Sequence, residues 1–298
     1  MADNNRTAFP DMFLEDMKPE LEQIIVDKFN SKPDIVKEIF NVESMTGSIE
    51  NSDTVGTFPA ATQITEGASV DYFQFKQGYD KVYVPTKWGL GMKVTEEMVD
   101  DDKWGLIGKQ ARALGKSVYE TIQIRAFNVF NNGFSTAGAD GDTLFSTSHP
   151  LLGGGTWSNS AAVDFTRTAL ENAVIAFSNM VDDENKKINV EPKILLIHPT
   201  NQFAAREVLN STGKSGTADN NINSLKEEGI RIVTCSYLTD TGAWFLLADK
   251  DEHDLRFKNR KSPVTSSSYD FDTDTGKTKM KTRFDVGYND ARGTYGST

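Results

Sequence analysis

One apolar stripe constrains this chain more than any other feature. Ile107, Ala111, Leu114, Val118, Ile122, Ala126 and Val129 recur at steps of four and three, the spacing that puts side chains on one face of an α-helix. Asp100–Asp102 supplies capping side chains and negative charge at the start, and Asn131-Asn132-Gly133 supplies a stop. The pattern predicts a helix of about 29 residues, roughly 43 Å long. Lys109, Arg112, Lys116, Glu120 and Gln123 sit mostly off the stripe. A helix of that length with one apolar face needs a sheet or other helices along its side.

Strand patterns that can supply such a partner lie downstream. Thr278, Met280, Thr282, Phe284, Val286 and Tyr288 alternate with Lys277, Lys279, Lys281, Arg283 and Asp285, which predicts a half-buried strand. The run "DTDTG" at Asp272–Gly276 predicts a hairpin turn from a strand carrying Tyr269 and Phe271. Phe165–Asp182 and Asn201–Asn210 read as helices, and the polar stretch Ser211–Asn223 as a loop. Ile194–Ile197, Ile230–Tyr237 and Ala243–Ala248 read as short buried strands. Helices interspersed with apolar strands predict a compact α/β unit over 164–250.

The N-terminal third divides poorly into a core of its own. Phe13, Leu14, Met17, Leu21, Ile24, Ile25 and Phe29 predict one short amphipathic helix, and Ile35, Val36, Ile39 and Phe40 a second segment beyond Pro33. Residues 41–67 are rich in Ser, Thr, Asn and Gly and read as an extended arm. Val70, Tyr72, Phe73 and Phe75, a turn signal at Gln77–Asp80, and then Val82 and Val84 predict a two-stranded excursion. Trp88, Leu90, Met92 and Val94 alternate after it. An isolated hairpin is marginal in water. Arm and hairpin therefore either fold back on their own domain or lie on a neighbour.

Charge and cysteine content narrow the function classes. Asp and Glu outnumber Lys and Arg by 43 to 32, a net charge of −11, which argues against general affinity for phosphate backbones. Cys235 is the one cysteine, which excludes an intrachain disulfide or a cysteine metal cluster and fits a reducing cytosol. The opening residues show no positive region followed by an apolar stretch, so no secretory signal is expected. No apolar run approaches the roughly 18 residues of a membrane span.

The stretch "DGDTLFSTSHPLLGGGTWSN", Asp140–Asn159, invites a hydrolase reading through Ser146, Ser148 and His149. A catalytic serine needs its base brought to it across space and oriented by a third group, and sequence adjacency supplies neither. No G-x-S-x-G turn occurs, and Pro150 restricts His149 to extended backbone. "TGKSGT" at Thr212–Thr217 resembles the end of a phosphate loop, but Val208 stands where its first glycine belongs. "DFDTDTG" from Asp270 mimics a calcium loop, yet Thr275 and Lys281 replace the required glycine and glutamate. His149, His198 and His253 have no helical ligand spacing. The Lys277–Arg283 stripe reads as the wet face of a half-buried strand in preference to a nucleic-acid contact. No catalytic, cofactor-binding or metal residue is therefore expected.

With these motifs in view, the Asp140–Asn159 stretch resembles a signature segment of tailed-bacteriophage major capsid proteins of the Mu-like major head subunit type. "WGLGMKVTEEMVDDD", "INVEPKILLIHPTNQFAAREVLNS", "NINSLKEEGIRIVTCSYLTDTGAWFLLAD" and "RFDVGYNDARGTYGS" resemble further segments of that family, in order. The resemblance covers roughly 80–298. It implies an α+β fold of the Hong Kong 97 type: N-terminal arm 1–65, extended loop hairpin 66–99, peripheral domain 100–163 with a spine helix and glycine-rich loop, axial domain 164–250, and peripheral C-terminal strands 251–298. Gly153, Gly154 and Gly155 would then shape the glycine-rich loop, with Trp157 anchoring it.

The function expected is self-assembly into pentamers and hexamers of an icosahedral shell enclosing double-stranded DNA. Scaffolding and portal proteins are the expected partners, the host bacterial cytoplasm the expected place of assembly, and the virion the destination. No covalent crosslinking is expected. Trp88, Leu90, Met92 and Val94 of the loop, and Leu21, Ile24 and Ile25 of the arm, are the candidates for covering an adjacent subunit. Two alternatives stand beside this reading: an encapsulin-like nanocompartment shell, and a soluble hydrolase using Ser148 and His149.

Overall fold

A computed structural model describes residues 9–74, 76–101, 103–211, 213 and 222–298. Helix α1 (Phe9–Met12), a π-helical segment (Phe13–Met17) and α2 (Lys18–Asn30) run on continuously, followed by α3 (Ile35–Ile39). Strands β1 (Asn41–Ser44), β2 (Glu50–Val55), β3 (Gln77–Tyr83) and β4 (Thr86–Thr95) lead to α4 (Glu96–Asp100) and α5 (Trp104–Asn131). Short strands β5 (His149–Pro150), β6 (Thr156–Trp157) and β7 (Ser160–Ala161) precede α6 (Arg167–Ser178) and β8 (Ile194–Ile197). Then come α7 (Gln202–Asn210), β9 (Arg231–Thr234) and β10 (Trp244–Leu247), and finally β11 (Leu255–Asp270), β12 (Thr275–Tyr288) and β13 (Thr294–Ser297).

The long helix is the axis of the molecule, at 28 residues and about 42 Å. Its stripe is buried as the spacing demands, except that Val129 is only half-buried. The first half of the stripe, Ile107, Ala111, Leu114 and Val118, packs in one core with Phe13, Met17, Leu21 and Ile25 and with Val94 and Met280. The second half, Ile122, Ala126, Phe127 and Phe130, packs in another core that includes Leu195, Leu196, Phe245 and Leu246. The first core rests on one sheet, whereas the second core takes in a second sheet and also Leu255, Phe257, Phe284 and Tyr288 of the first. The first sheet runs β1-β11-β12-β4, with β1 parallel to β11 and the remaining pairs antiparallel. The second runs β7-β13-β10-β8-β9. Phe130 meets Phe245 at 5.2 Å, which joins the end of the spine to the second sheet.

Several sequence expectations are corrected. The spine does not start at Asp100–Asp102: Thr95 caps α4 by accepting from the Met98 amide, Asp100 closes α4, and α5 begins afresh at Trp104. Asp102 lies outside the described residues. The turn signal at Gln77–Asp80 lies within strand β3, because β3 pairs with β2, far upstream. The hairpin therefore comprises 50–55 and 77–83, with its connection over 56–76, so the boundary drawn at 65/66 cuts through that connection. The C-terminal strands do not all return to the first sheet, since β13 inserts between β7 and β10 in the second. Phe271 is in the turn beyond β11 and exposed. Residues 1–8, Phe75, Thr212 and 214–221 lie outside the described residues, and with them most of the "TGKSGT" reading.

The largest correction concerns the N-terminal helix. It lies along the chain's own spine, and Phe13, Met17, Leu21 and Ile25 are all buried there. Gly115 is the crossing point: a side chain added there would collide with the Ile25 carbonyl. Burial of each such apolar side chain stabilises by about 1.5–3 kcal/mol. Removing residues 9–30 should therefore leave no cooperatively folded subunit, detectable as loss of a thermal unfolding transition. Leu21→Ala alone should lower stability by about 2–5 kcal/mol in denaturant titration.

His253 is buried beside the start of β11, where its Nδ1 accepts the Leu255 amide at 3.3 Å. Burial pushes its pKa from 6.5 down to about 4. The unfolded chain therefore takes up this proton first as pH falls. The contribution to stability is intact above pH 6.5, drains away between 6.5 and 4, and is lost below that, a change of roughly 3 kcal/mol. His253→Asn, which keeps an acceptor for Leu255, should flatten the decline of Tm between pH 7 and 4.

Candidate assembly interface

The hairpin β2–β3 is rooted in the body and uncovered beyond it. Its strands pair from Glu50↔Tyr83 to Asp53↔Asp80, and the Gly56 amide donates to the Lys76 carbonyl at 2.9 Å. From Thr57 to Gln74 the chain forms neither helix nor strand and is almost wholly exposed. Ile64, Val70, Tyr72 and Phe73 all face solvent there, Tyr72 with 93% of its surface. A connection this long without regular structure is uncommon in a compact domain, and clustered exposed apolar side chains mark an interaction surface.

Two polar clusters, each centred on one buried charged side chain, hold the root. In the first, the Lys258 ammonium, 3% exposed, donates to Glu43 and to Glu50, each at 2.6 Å, and lies 5.4 Å from the Tyr83 ring centre. Burial disfavours this charge, yet the two carboxylates outweigh it and leave the Lys258 pKa raised. The Tyr83 hydroxyl donates to Asn289 Oδ1 at 2.8 Å, and Asn289 Nδ2 donates to Ser52 at 2.6 Å. Both hairpin strands are thus tied to β11 and to the residue after β12.

The second cluster gathers on a tight turn after α6. Asp182 accepts from the Glu184 and Lys186 amides at 3.0 and 2.8 Å and from the Thr57 hydroxyl at 2.9 Å. Lys76 pairs with Glu184 at 2.8 Å. Burial raises the Asp182 pKa, but these donors prevail and the net shift is downward. The outgoing and returning ends of the exposed loop, Thr57 and Lys76, are therefore clamped to one turn.

The glycine-rich loop packs against that turn. Gly154 and Gly155 adopt φ of +95° and +96°, a region that favours glycine. Gly153 has no positive φ, but its amide donates to the Asp183 carbonyl at 2.9 Å, and an added Cβ would lie 2.7 Å from that oxygen. Trp157 is buried, stacked on His149 at 4.8 Å, with the Arg292 guanidinium 5.5 Å above its ring. Arg292 in turn binds Asp183 at 2.8 Å and Asp290 at 2.6 Å.

His149 serves this structure. It is 1% exposed, and its ring nitrogens face Asp140 at 2.8 Å and Asn159 Oδ1 at 3.1 Å. Asn159 also accepts the Ser146 amide and donates to the Leu144 carbonyl. The Ser148 hydroxyl donates to Asp142 at 3.4 Å and not to His149, so the serine–histidine pair of the hydrolase alternative is not formed. Asp270 is held by Lys277 and Thr273, and Tyr269 donates to Asp274. No group of three or more His, Cys, Asp or Glu among the described residues is placed to hold a metal ion. Among them, no helix is long and apolar enough to cross a membrane.

The candidate interface residues separate into two groups. Leu21, Ile25 and Val94 are buried in the chain's own core, which corrects their assignment to a neighbour. The β4 alternation is turned toward the chain's own spine: Met92 packs half-buried on the first core, and Trp88 lies under the Arg125 guanidinium at 4.2 Å. Ile24 is half-buried, and Leu90 remains half exposed. Sequence reasoning missed Lys258, Glu43, Glu50, Asp182 and Arg292. Their partners lie a hundred or more residues away or in turns, where no periodicity marks them.

Comparison with known proteins follows the same lines. A family model described as phage capsid protein matches residues 78–297. The Mu-like prophage FluMu major head subunit of Haemophilus influenzae is 26% identical over 125 residues, 42% of this chain and 40% of that protein. The chain thus matches less than half the length of that curated relative. The virus-like particle of Pyrococcus furiosus superposes with a TM-score of 0.60 at 9% identity, covering 95% of this chain and 100% of that one. The procapsid of bacteriophage JBD30 gives 0.54 at 14% identity, covering 96% and 75%. Microbacterium phage Oxtober96 gives 0.58 at 13% identity, covering 90% and 91%. These likenesses establish the fold, the Hong Kong 97-type α+β arrangement expected from the sequence.

The two neighbouring residues of the glycine-rich loop should behave oppositely on substitution. His149→Ala strands half-buried Asp140 and buried Asn159 and should lower stability by about 2 kcal/mol. Exposed Ser148→Ala should change it by less than about 1 kcal/mol. Denaturant unfolding of both variants checks this.

Proposed function

Because this chain belongs to the phage capsid protein family, we propose that it is the major subunit of an icosahedral head, built from pentamers and hexamers of identical copies around packaged double-stranded DNA. One observation carries the reading. The loop over 57–74 exposes aromatic and aliphatic side chains that its own subunit leaves uncovered, while Thr57 and Lys76 at its two ends are tied to Asp182 and Glu184 on one turn. A rigidly rooted, apolar, uncovered projection is what a subunit needs to overlap its neighbour, and closed symmetry lets one such contact repeat around a shell.

In this reading the first sheet with the spine is the peripheral domain, and the second sheet with α6 and α7 is the axial domain at the capsomer centre. Assembly would occur in the host cytoplasm with scaffolding and portal proteins, and the product would be the virion. The net charge of −11 suits a wall that encloses DNA without gripping it. The encapsulin-like alternative shares the fold; the match to the phage capsid family over 78–297 favours a head protein.

Replacing residues 57–74 with a short Gly/Ser linker tests the proposal, because the loop contributes little to either core. The variant should keep the wild-type Tm within a few degrees yet form no closed particles by negative-stain microscopy. Normal particles from it would refute the loop's role, and nuclease-protected DNA in wild-type particles separates a head from a nanocompartment.

A further inference from the structure

The buried ring of His149 has an acceptor at each of its nitrogens. Nδ1 lies 2.8 Å from Asp140 Oδ2, and Nε2 lies 3.1 Å from Asn159 Oδ1. The Asn159 amide cannot be turned round to present its nitrogen instead. Its Oδ1 accepts the Ser146 amide at 2.9 Å, and its Nδ2 donates to the Leu144 carbonyl at 2.8 Å. Reversal would set two donors against each other at Ser146 and two acceptors at Leu144. Nε2 must therefore carry a proton to meet Asn159. A neutral imidazole has one N–H only, so Nδ1 would then turn a lone pair toward the Asp140 carboxylate. Two contacts thus call for two protons on the pair.

The surroundings suit a cation on that ring. Asp140 and Asp142 are half-buried carboxylates of the same loop. Burial raises the Asp142 pKa, but donors from Ser146 and Thr143 and the charge at His149 outweigh it, and the net shift is downward. Trp157 lies against the imidazole with 22° between the planes and offers its electron-rich face. Arg292 also stands over Trp157, but Asp183 and Asp290 take up its charge. Tyr79 of β3 and Tyr288 of β12 line one small cavity with Asp140, Trp157 and Arg292. Loss of the second proton would leave the Asp140 carboxylate half-buried without its partner, an arrangement that destabilises a fold.

We infer that His149 and Asp140 hold two protons between them, as a buried imidazolium facing a carboxylate, and that the second proton locks the glycine-rich loop in its seat. The lock reaches in two directions. Asn159 also donates to the Ala291 carbonyl at 3.4 Å, close to β13. Gly153 is bound to the Asp183 carbonyl, on the turn that ties down both ends of the extended loop. Removing the proton therefore loosens the loop between the second sheet and the hairpin root. An isolated histidine in the unfolded chain gives up its proton first as pH rises. The contribution is thus intact in acid and lost in base, opposite to that of His253. The device belongs to the single subunit and does not depend on the assembly reading.

Nitrogen-15 imidazole spectra of the whole chain at about pH 7.5 test the proton count. The His149 ring, assigned by its absence from His149→Gln, should show a bound proton on both nitrogens. A single ring proton overturns the inference. Asp140→Asn removes the need for the second proton, because an amide can donate to the Nδ1 lone pair of a neutral ring. From about pH 7 to 9 the wild-type Tm should fall by at least about 2 °C, and that of Asp140→Asn by less than half as much. Over the same range, hydrogen exchange of the 143–159 amides, corrected for base catalysis, should quicken about tenfold in the wild type while the spine stays unchanged. An equal decline of Tm in both proteins overturns the lock, and so does exchange that quickens equally in loop and spine. Should Asp140→Asn fail to fold, the wild-type spectra and exchange decide the matter by themselves.

Discussion

The packing of α5 against two cores at once is the constraint on which the rest of the structure depends. One stripe serves both: Ile107 to Val118 pack with the N-terminal helix and the first sheet, and Ile122 to Phe130 belong to a core that both sheets share. A helix this long gains little from its own hydrogen bonds and is held by the surface it buries. Because interiors are close-packed, a shift of the helix in one core is felt in the other. The two sheets are thereby held to a common axis, and everything projecting from them inherits that frame.

The extended loop shows why the frame matters. Its apolar tip has no support of its own, so its direction is set entirely at the root. There the protein uses buried polar groups, Lys258 between Glu43 and Glu50 and Tyr83 on Asn289, and more exposed ties from Thr57 and Lys76 to the turn at Asp182. Breaking a buried ion pair by removing one partner is far more costly than the pair is stabilising, so these contacts fix geometry more than they add stability. The glycine-rich loop joins the same assembly through Asp183 and Arg292. Its serines and histidine are engaged in holding shape, which explains why they resemble a catalytic motif without forming one.

Periodic features were legible in the sequence and cross-chain ones were not. The spine, the β12 alternation and the buried strand at Ile194–Ile197 follow from side-chain spacing alone, and each appears within a few residues of its expected place. The N-terminal helix was also legible as a helix, but its target was misread. Nothing local says that Ile25 crosses the spine at Gly115, with Leu21 buried in the same core, rather than lying on another subunit. The hairpin's register is hidden in the sequence because its first strand, Glu50–Val55, is polar, whereas Gln77–Asp80, which carries turn residues, lies within the second strand. Of the candidate interface, Val70, Tyr72 and Phe73 were legible only as strand residues of the excursion, and the interface expectation fell instead on Trp88, Leu90, Met92 and Val94. The root of the loop was not legible, since Lys258 finds Glu43 and Glu50 only once the strands are in place.

The position of β13 has a consequence for biosynthesis. This four-residue strand follows every other strand in chain order, yet it occupies the middle of the second sheet, hydrogen-bonded to β10 on one side and β7 on the other. Until Thr294–Ser297 emerges from the ribosome, that sheet lacks an interior member, and the edge of Trp244–Leu247 stays open. A chain cut before Thr294 therefore leaves β7 detached from β10 and the second sheet unfinished.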